Sequence, residues 1–368
     1  MKRILSQCTK ELVRFRRHSL TLTLAFLLPL VTLLIYGFAI RLESKNIPLI
    51  VQNFDHTSLS RTYTEQLYAT NQFVPTHWTG GDPVRDAIDG GIAKAVVIIP
   101  TEFGRNIKNG INTKVQVLID ATDVNNARVV RNSIQAVTNF FMQTQGLLPS
   151  TSNITPHIRL WFNPGRLESL FIVPGVYGVV LWIYPSLLAA IAMVQEKEKD
   201  TIVQVYASSI SATELLLGKG LAYLLIAISE AFVVMGLGSL IFQVRLVGDL
   251  SILLLGTLLF LIDSVLFGLL LGVRSETENA AVQGVSLLGF ITSLLLSGFI
   301  YPLNNIPFPL SLISNVLPIR YYIDITRDAF VRGIGWAGVW FDLIMLIVLG
   351  LMLFNTSRRI LRRMQLPN

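Results

Sequence analysis

The chain alternates between long apolar runs and polar blocks on a length scale set by a membrane. A helix needs about 20 apolar residues to cross the ~30 Å hydrocarbon core. Six stretches meet or approach that length: Leu20 to Ile40, Leu170 to Val194, Leu217 to Phe242, Leu250 to Val273, Ala280 to Ile300 and Trp336 to Phe354. The first run exceeds the ~7 to 15 residues of a signal-peptide core, and no small-x-small site follows at Arg41-Leu42-Glu43. It is read as an anchor rather than a cleaved leader. The polar block between the first two runs has periodicities of its own. Pro48 to Gln52 and Ala95 to Ile99 are short β-rich runs, and Lys114 to Ile119 alternates as a half-buried strand does. Ser58 to Ala69 and Asp82 to Ile88 predict helices, the second opening on Asp82-Pro83, a cap followed by Pro in the first turn. Asp123 to Gln145 predicts a long helix with Val130, Ile134, Val137 and Phe141 on one face. Ahead of the first span, Ile4, Leu5, Cys8, Leu12 and Phe15 recur at helical spacing among basic residues, the pattern of an amphipathic helix on a membrane surface; a solvated basic leader is the plainer reading.

Composition agrees with the bilayer as main solvent, since 52% hydrophobic residues, 14% charged residues and a mean hydropathy of +0.57 are too apolar for a soluble domain of 368 residues. Charge then orients the chain. The N-terminal tail carries Lys2, Arg3, Lys10, Arg14, Arg16 and Arg17, and the C-terminal tail Arg358, Arg359, Arg362 and Arg363. The positive-inside rule makes both tails cytoplasmic, as an even number of spans permits. The net charge of +7 is thus a topology and lipid-headgroup signal and not a nucleic-acid footprint. The expected fold is a polytopic α-helical membrane protein: six transmembrane helices with an α/β external domain inserted between spans 1 and 2. Its divisions are a surface helix (1–18), span 1 (19–40), the external domain (41–168), spans 2–6 (169–356) and a basic cytoplasmic tail (357–368). Within the span region fall a cytoplasmic loop (195–216) and an external segment (301–335). The single cysteine, Cys8, lies on the cytoplasmic side and cannot staple the external domain.

Most catalytic chemistry is missing from the sequence. There is no HExxH and no GxxxxGK[ST]; Gly218-Lys219-Gly220 lacks the upstream glycine and the Ser or Thr of a P-loop. Two carboxylates nonetheless sit deep in apolar runs. At ~1.5 Å per residue, Glu230 is about 20 Å and Asp263 about 15 Å from the cytoplasmic ends of their helices, so they share a depth zone in which they could meet. Ionisable groups at such depth usually face a bundle interior or an aqueous path. They are candidate substrate-path residues, or else carboxyls paired with each other or with neighbours such as Ser229 and Ser264. The inner loop runs Gln195-Glu196-Lys197-Glu198-Lys199-Asp200-Thr201 and on through Ile202, Val205 and Tyr206 to Ser211-Ala212-Thr213-Glu214, a capping box. In the external segment, Pro302, Pro307, Pro309 and Pro318 break any single helix, while Tyr321, Tyr322 and Trp336 suit an outer interface. Pro302, Pro307, Pro318 and Tyr321 mark either an external gate or a structural cap.

At these residues the sequence resembles the permease subunits of ABC-2 type ABC transporters, especially bacterial exporters with a large external domain after the first span. Glu196-Lys197-Glu198-Lys199-Asp200-Thr201 leading to Glu214-Leu215-Leu216-Leu217-Gly218-Lys219 is similar to the family's E-x-E-x-G-T and ELLLGK segments, with Asp200 where Gly is usual. Leu296 to Pro302 with Asn305-Ile306-Pro307, then Leu317 to Arg327, is similar to its fifth span and external helices. Ile50 to Asp55, Ala95 to Pro100 and Asp120 to Asp123 match its external block. The resemblance implies a half-transporter in the inner or plasma membrane, pairing with a second permease subunit, identical or related, and with two copies of an ABC ATPase. ATP and Mg would be bound by that ATPase, with no cofactor in this chain. It further implies that Glu196, Glu198, Thr201, Val205 and Tyr206 couple the membrane part to the ATPase, and that a hydrophobic or amphipathic compound, drug-like or lipid, is exported, with a periplasmic adaptor a further partner. Two other classes stay open: a receptor or assembly protein that the spans only anchor, and an ion-coupled secondary carrier, for which no inverted repeat is visible.

Overall fold

The computed structural model describes residues 1–40, 46–78, 87–88, 90–122, 124–147, 162–163, 167–198 and 210–365. They fall into two compact units, one of Met1–Ile40 with Arg159–Asn368 and one of Arg41–Ile158.

In the helical unit, α1 (Lys2–Arg17) precedes α2 (Ser19–Leu22), a π turn (Thr23–Leu27) and α3 (Leu28–Ala39). The wide turn lies just before Pro29, which has no N–H to return to the carbonyl of Ala25. In this unit the chain continues in α7 (Glu168–Glu198), α8 (Ala212–Phe242), α9 (Leu250–Arg274), α10 (Glu278–Leu295), the short α11 (Leu310–Asn315) and α12 (Pro318–Arg327), and α13 (Trp336–Gln365). Among the described residues α7, α8, α9 and α13 are long and apolar enough to cross a membrane, and Thr23–Ala39 is a shorter apolar helix. The protein is thus a polytopic helical membrane protein.

Three boundaries differ from the sequence reading. α7 carries Gln195 to Glu198 inside the helix, so the charged run is not wholly loop. α10 ends at Leu295 rather than Ile300, because Gly298 takes φ 82° and Arg327 donates to the carbonyls of Gly298 (3.0 Å) and Phe299 (3.2 Å). α13 runs through the basic tail to Gln365.

α7 is the axis of this unit. Every residue from Ile172 to Val194 is buried, with α3, α8, α9, α10 and α12 packed around it. α9 comes closest. A Cβ on Gly268 would stand 2.0 Å from the Ser186 carbonyl oxygen, and one on Gly272 2.6 Å from that of Ala190. Gly268-Leu269-Leu270-Leu271-Gly272 is a small-xxx-small face, which lets backbones touch where apolar lipid supplies no drive for association.

The second unit is an α/β sandwich. β1 (Ile47–Asn53) pairs in parallel with β2 (Phe73–Pro75) and β3 (Ala95–Ile99), and β3 pairs antiparallel with β4 (Gln116–Ile119), giving the order β2-β1-β3-β4. Alternation along the strands sends Leu49, Ala95 and Val97 to one face, where α4 (Ser58–Ala69), α5 (Phe103–Lys108) and α6 (Val124–Thr144) cover them through Tyr63, Phe103, Ile134 and Phe141. Ile50 and Val96 meet Ala87 and Ala93 on the other. β2 and α5 were not read from the sequence, and most of the helix expected at Asp82 to Ile88 lies outside the described residues.

Gly268→Ala is expected to lower the melting temperature of the purified protein, since relief of the clash costs about 1–3 kcal/mol. Gly236→Ala on α8, where an added Cβ meets nothing within 4 Å, should leave it unchanged. Equal melting of both variants would contradict the close crossing.

Candidate functional site

Among the described residues the charged end of α7 contacts α1, α8, α9 and α10. Successive helical residues point about 100° apart, so Gln195, Glu196, Lys197 and Glu198 address different partners. Lys197 Nζ donates to the carbonyls of Gly272 (3.2 Å), Val273 and Ser275 (2.9 Å), placing a cation on the C-terminus of α9. Glu198 Oε1 accepts the backbone N–H of Glu278 at 2.7 Å, an anion at the first turn of α10, and Gln195 Nε2 reaches the Glu278 carboxylate at 3.2 Å. Glu196 turns inward.

Glu196 belongs to a buried ion cluster. Lys219 of α8, fully buried, donates to Glu11 of α1 at 2.5 Å, to Glu196 at 3.2 Å and to the Ala192 carbonyl at 3.1 Å. Lys10 and Arg14 approach Glu196 at 3.3 and 3.7 Å from the half-exposed side, so the surplus positive charge reaches water. Gln7 and Tyr223 donate to Glu11 at 3.3 and 3.5 Å. α1 can lie this close because residue 218 is glycine: a Cβ there would stand 2.8 Å from the Gln7 side chain and 3.2 Å from the Ile4 carbonyl oxygen. Cys8 is buried on the same face of α1, and burial with the nearby Glu11 charge raises its thiol pKa. At the head of α8, Ser211 and Glu214 form the expected capping box, Glu214 N–H donating to Ser211 Oγ at 3.2 Å and Ser211 N–H to Glu214 Oε2 at 2.9 Å.

Of the coupling residues expected from the sequence, Glu196 and Glu198 are thus committed to contacts within the chain, and Thr201, Val205 and Tyr206 lie outside the described residues. Glu11 and Lys219 were missed. Signals for both were present, because Glu11 is the one acid in a basic helix and falls on its apolar stripe, and Lys219 is a lone charge at the start of an apolar run.

The two deep carboxyls do not meet. Glu230 is fully buried with neither oxygen hydrogen-bonded, and Asp263 Oδ2 is likewise without a partner among the described residues. Ser229 and Ser264 bond instead to the carbonyls of Ile226 (2.6 Å) and Trp182 (2.8 Å). Asp263 packs on Gly350 of α13, where an added Cβ would stand 2.4 Å from Oδ1.

The segment after α10 closes on itself. Asp328 accepts the N–H groups of Ile334 and Gly335, each at 3.0 Å, Tyr321 donates to the Asn315 carbonyl at 2.7 Å, and Arg327 lies over the Phe171 ring at 4.4 Å. Pro302 caps the start of a 3-10 turn (Leu303–Asn305), the Pro307 carbonyl accepts from Ser311 N–H, and Pro318 opens α12. Tyr321 and Tyr322, expected at an outer interface, are buried. Tyr322 stacks on Phe260 at 4.0 Å and shares a 2.9 Å hydrogen bond with Thr257.

Removing one partner of a buried ion pair costs about 3–5 kcal/mol, whereas neutralising both costs far less. Lys219→Met should therefore loosen α1 and raise thiol labelling of Cys8 at least about tenfold. Adding Glu11→Gln should bring the rate back toward wild type. Labelling that stays at the wild-type rate in Lys219→Met would remove the cluster from the docking of α1.

Known proteins are similar to this chain over nearly its full length. The family model described as ABC-2 family transporter protein matches residues 20–357. The probable multidrug ABC transporter permease YbhR of Escherichia coli is 25% identical over 345 residues, covering 92% of this chain and 93% of that protein. YbhS of the same organism, also a probable multidrug ABC transporter permease, is 24% identical over 337 residues, 90% of this chain and 89% of its own. ABC transporter G family member 20 of Dictyostelium discoideum is 21% identical over 355 residues, 94% of this chain but 48% of that longer protein. With the family model matching residues 20–357, the chain belongs to the ABC-2 family of transporter proteins.

Proposed function

We propose that this chain is the membrane-spanning permease subunit of an ATP-driven exporter, working with two copies of a separate ATPase and a second permease subunit. One observation carries the reading: the four residues from Gln195 to Glu198 bind the end of α9, the start of α10, the basic face of α1 and Lys219 of α8, immediately before the stretch 199–209. A push delivered to that stretch by a closing ATPase dimer would reach several helices at once, as rigid-body alternating access requires. Thr201, Val205 and Tyr206 would form the contact, with Glu196 and Glu198 anchoring it.

In this reading Thr23–Ala39 and α10 complete six spans, both termini are cytoplasmic, and the α/β unit is external. The cargo is hydrophobic or amphipathic. Support comes from the multidrug names of the Escherichia coli relatives and from an apolar groove of about 650 Å³ between α8 and α9, lined by Phe232, Met235, Leu254 and Leu258. Glu230 and Asp263 would lie on the transport path, and Pro302, Pro307, Pro318 and Tyr321 in an external gate.

Purification from the native membrane in mild detergent should recover a P-loop ATPase in stoichiometric amount. In that complex, Val205→Asp or Tyr206→Asp is expected to abolish cargo-stimulated ATP hydrolysis while leaving the permease inserted. Reproducible absence of an ATPase would sink the proposal, and normal stimulation in both variants would move the contact elsewhere. Transport unchanged in Glu230→Gln with Asp263→Asn would take the carboxyls off the path.

A further inference from the structure

The apolar groove between α8 and α9 has the depth of one lipid leaflet. Its lining residues follow α8 from Ile228 to Ser239 and α9 from Leu250 to Leu261, about 16 Å along each helix at ~1.5 Å per residue. Half of the ~30 Å hydrocarbon core is about the same length. The walls are surface and not core, with Phe232 82% exposed, Leu254 62% and Leu250 52%. At the bottom lies Phe330, carried by the π turn Asp328–Arg332. The connection between the two helices is tied to that turn: Val247 and Gly248 N–H both donate to the Ala329 carbonyl, at 2.9 and 2.8 Å, and a Cβ on Gly248 would stand 3.0 Å from Ala329 Cα.

The groove is uniform along its length and changes character at one end. Ser239 and Thr257 are the two hydroxyls among its described lining residues, and both are already hydrogen-bonded to buried tyrosines, Tyr177 at 3.3 Å and Tyr322 at 2.9 Å. An occupant therefore meets an apolar surface over the whole of that depth. In the connection, next to the lining residue Leu246, Arg245 is exposed and has no hydrogen bond or ion pair among the described residues. The acid of the same connection is not available to it, because Asp249 accepts from the N–H and the hydroxyl of Ser251, each at 2.8 Å. A cation without a counter-charge thus stands at the membrane surface beside an apolar slot one leaflet deep.

We propose that the α8–α9 groove binds one phospholipid, with an acyl chain in the groove and the phosphate on Arg245. A guanidinium gives a phosphate charge-assisted hydrogen bonds, often two at once. An acyl chain restores the dispersion contacts that an unfilled slot would forgo, whereas a molecule with polar groups along its body would bury them without partners. The inference deepens the transport reading by naming the amphipathic molecule held here, and it rests on that reading for the leaflet alone, the outer one when both termini are cytoplasmic.

The test is native mass spectrometry of the full chain, delipidated in mild detergent and titrated with palmitoyl-oleoyl phosphatidylglycerol or with palmitoyl-oleoyl glycerol, which has the same chains and no phosphate. One saturable phosphatidylglycerol per chain is expected. Gly236→Trp places a large side chain in the groove at a position where an added Cβ meets nothing within 4 Å, and should abolish binding of both probes. Arg245→Gln should weaken phosphatidylglycerol about fivefold, the worth of one basic residue at a lipid surface, and leave the phosphate-free probe unchanged. Thermal melting separates loss of the site from loss of the fold, and Arg245→Gln alone decides the matter if Gly236→Trp does not fold. Phosphatidylglycerol affinity unchanged by either substitution would overturn the proposal by placing the lipid elsewhere. No saturable lipid on the wild-type chain would also overturn it and leave the groove to a second permease subunit. Recovery of an ATPase is measured separately, so the transport reading can fail while this site stands, and the reverse.

Discussion

A charge taken out of water at the edge of a membrane must find its counter-charge inside the protein, and the helical unit is arranged around that requirement. Lys219 has lost its solvent entirely and is held by two carboxylates that come from helices far apart in sequence, Glu11 and Glu196. Each is costly alone, and the three are tolerable only when α1, α7 and α8 are all in place. The cluster therefore fixes an arrangement more than it adds stability.

The same economy of position extends along the end of α7. Lys197 and Glu198 sit on opposite helix poles, carbonyls of α9 and an amide of α10, where their charges complement the dipoles. Above them, glycines on α9 let the backbone of α7 come within contact distance, so motion at the charged end is carried by a closely packed axis rather than absorbed by side chains. The buried carboxyls of Glu230 and Asp263, by contrast, have oxygens without a hydrogen-bond partner among the described residues, a cost that the packing of the helices does not offset.

Hydropathy made the apolar helices legible, because their length is dictated by the bilayer and needs no knowledge of neighbours. Strands β1 and β3 and the buried face of α6 were legible for a similar reason, their periods being local. The three residues of β2 are paired by β1 and carry no pattern of their own, so the sequence was silent there. Tyr322 was misread because an aromatic near a predicted membrane boundary looks the same whether it faces headgroups or Phe260. The charged end of α7 was half legible. Its charged run stood out, but reading it as a loop hid the fact that helical geometry turns Glu196 inward. Lys219 was weighed as part of a failed P-loop and of the ELLLGK match, and not as a buried charge, although a lone lysine at the start of an apolar run, with an acid on the apolar face of an amphipathic helix elsewhere in the chain, is itself a pairing signal. Gly268 and Gly272 showed their spacing, but which helix they meet is a tertiary fact.

Hydrogen exchange followed by mass spectrometry, comparing the intact protein with Lys219→Met, tests most directly whether the cluster joins these helix ends into one unit. Faster exchange is expected together in α1, the last turn of α7 and the first three turns of α8, extending to the ends of α9 and α10 that Lys197 and Glu198 hold. Acceleration confined to the turn around residue 219, with α1 and the end of α7 protected as before, would contradict a shared structural unit at this surface.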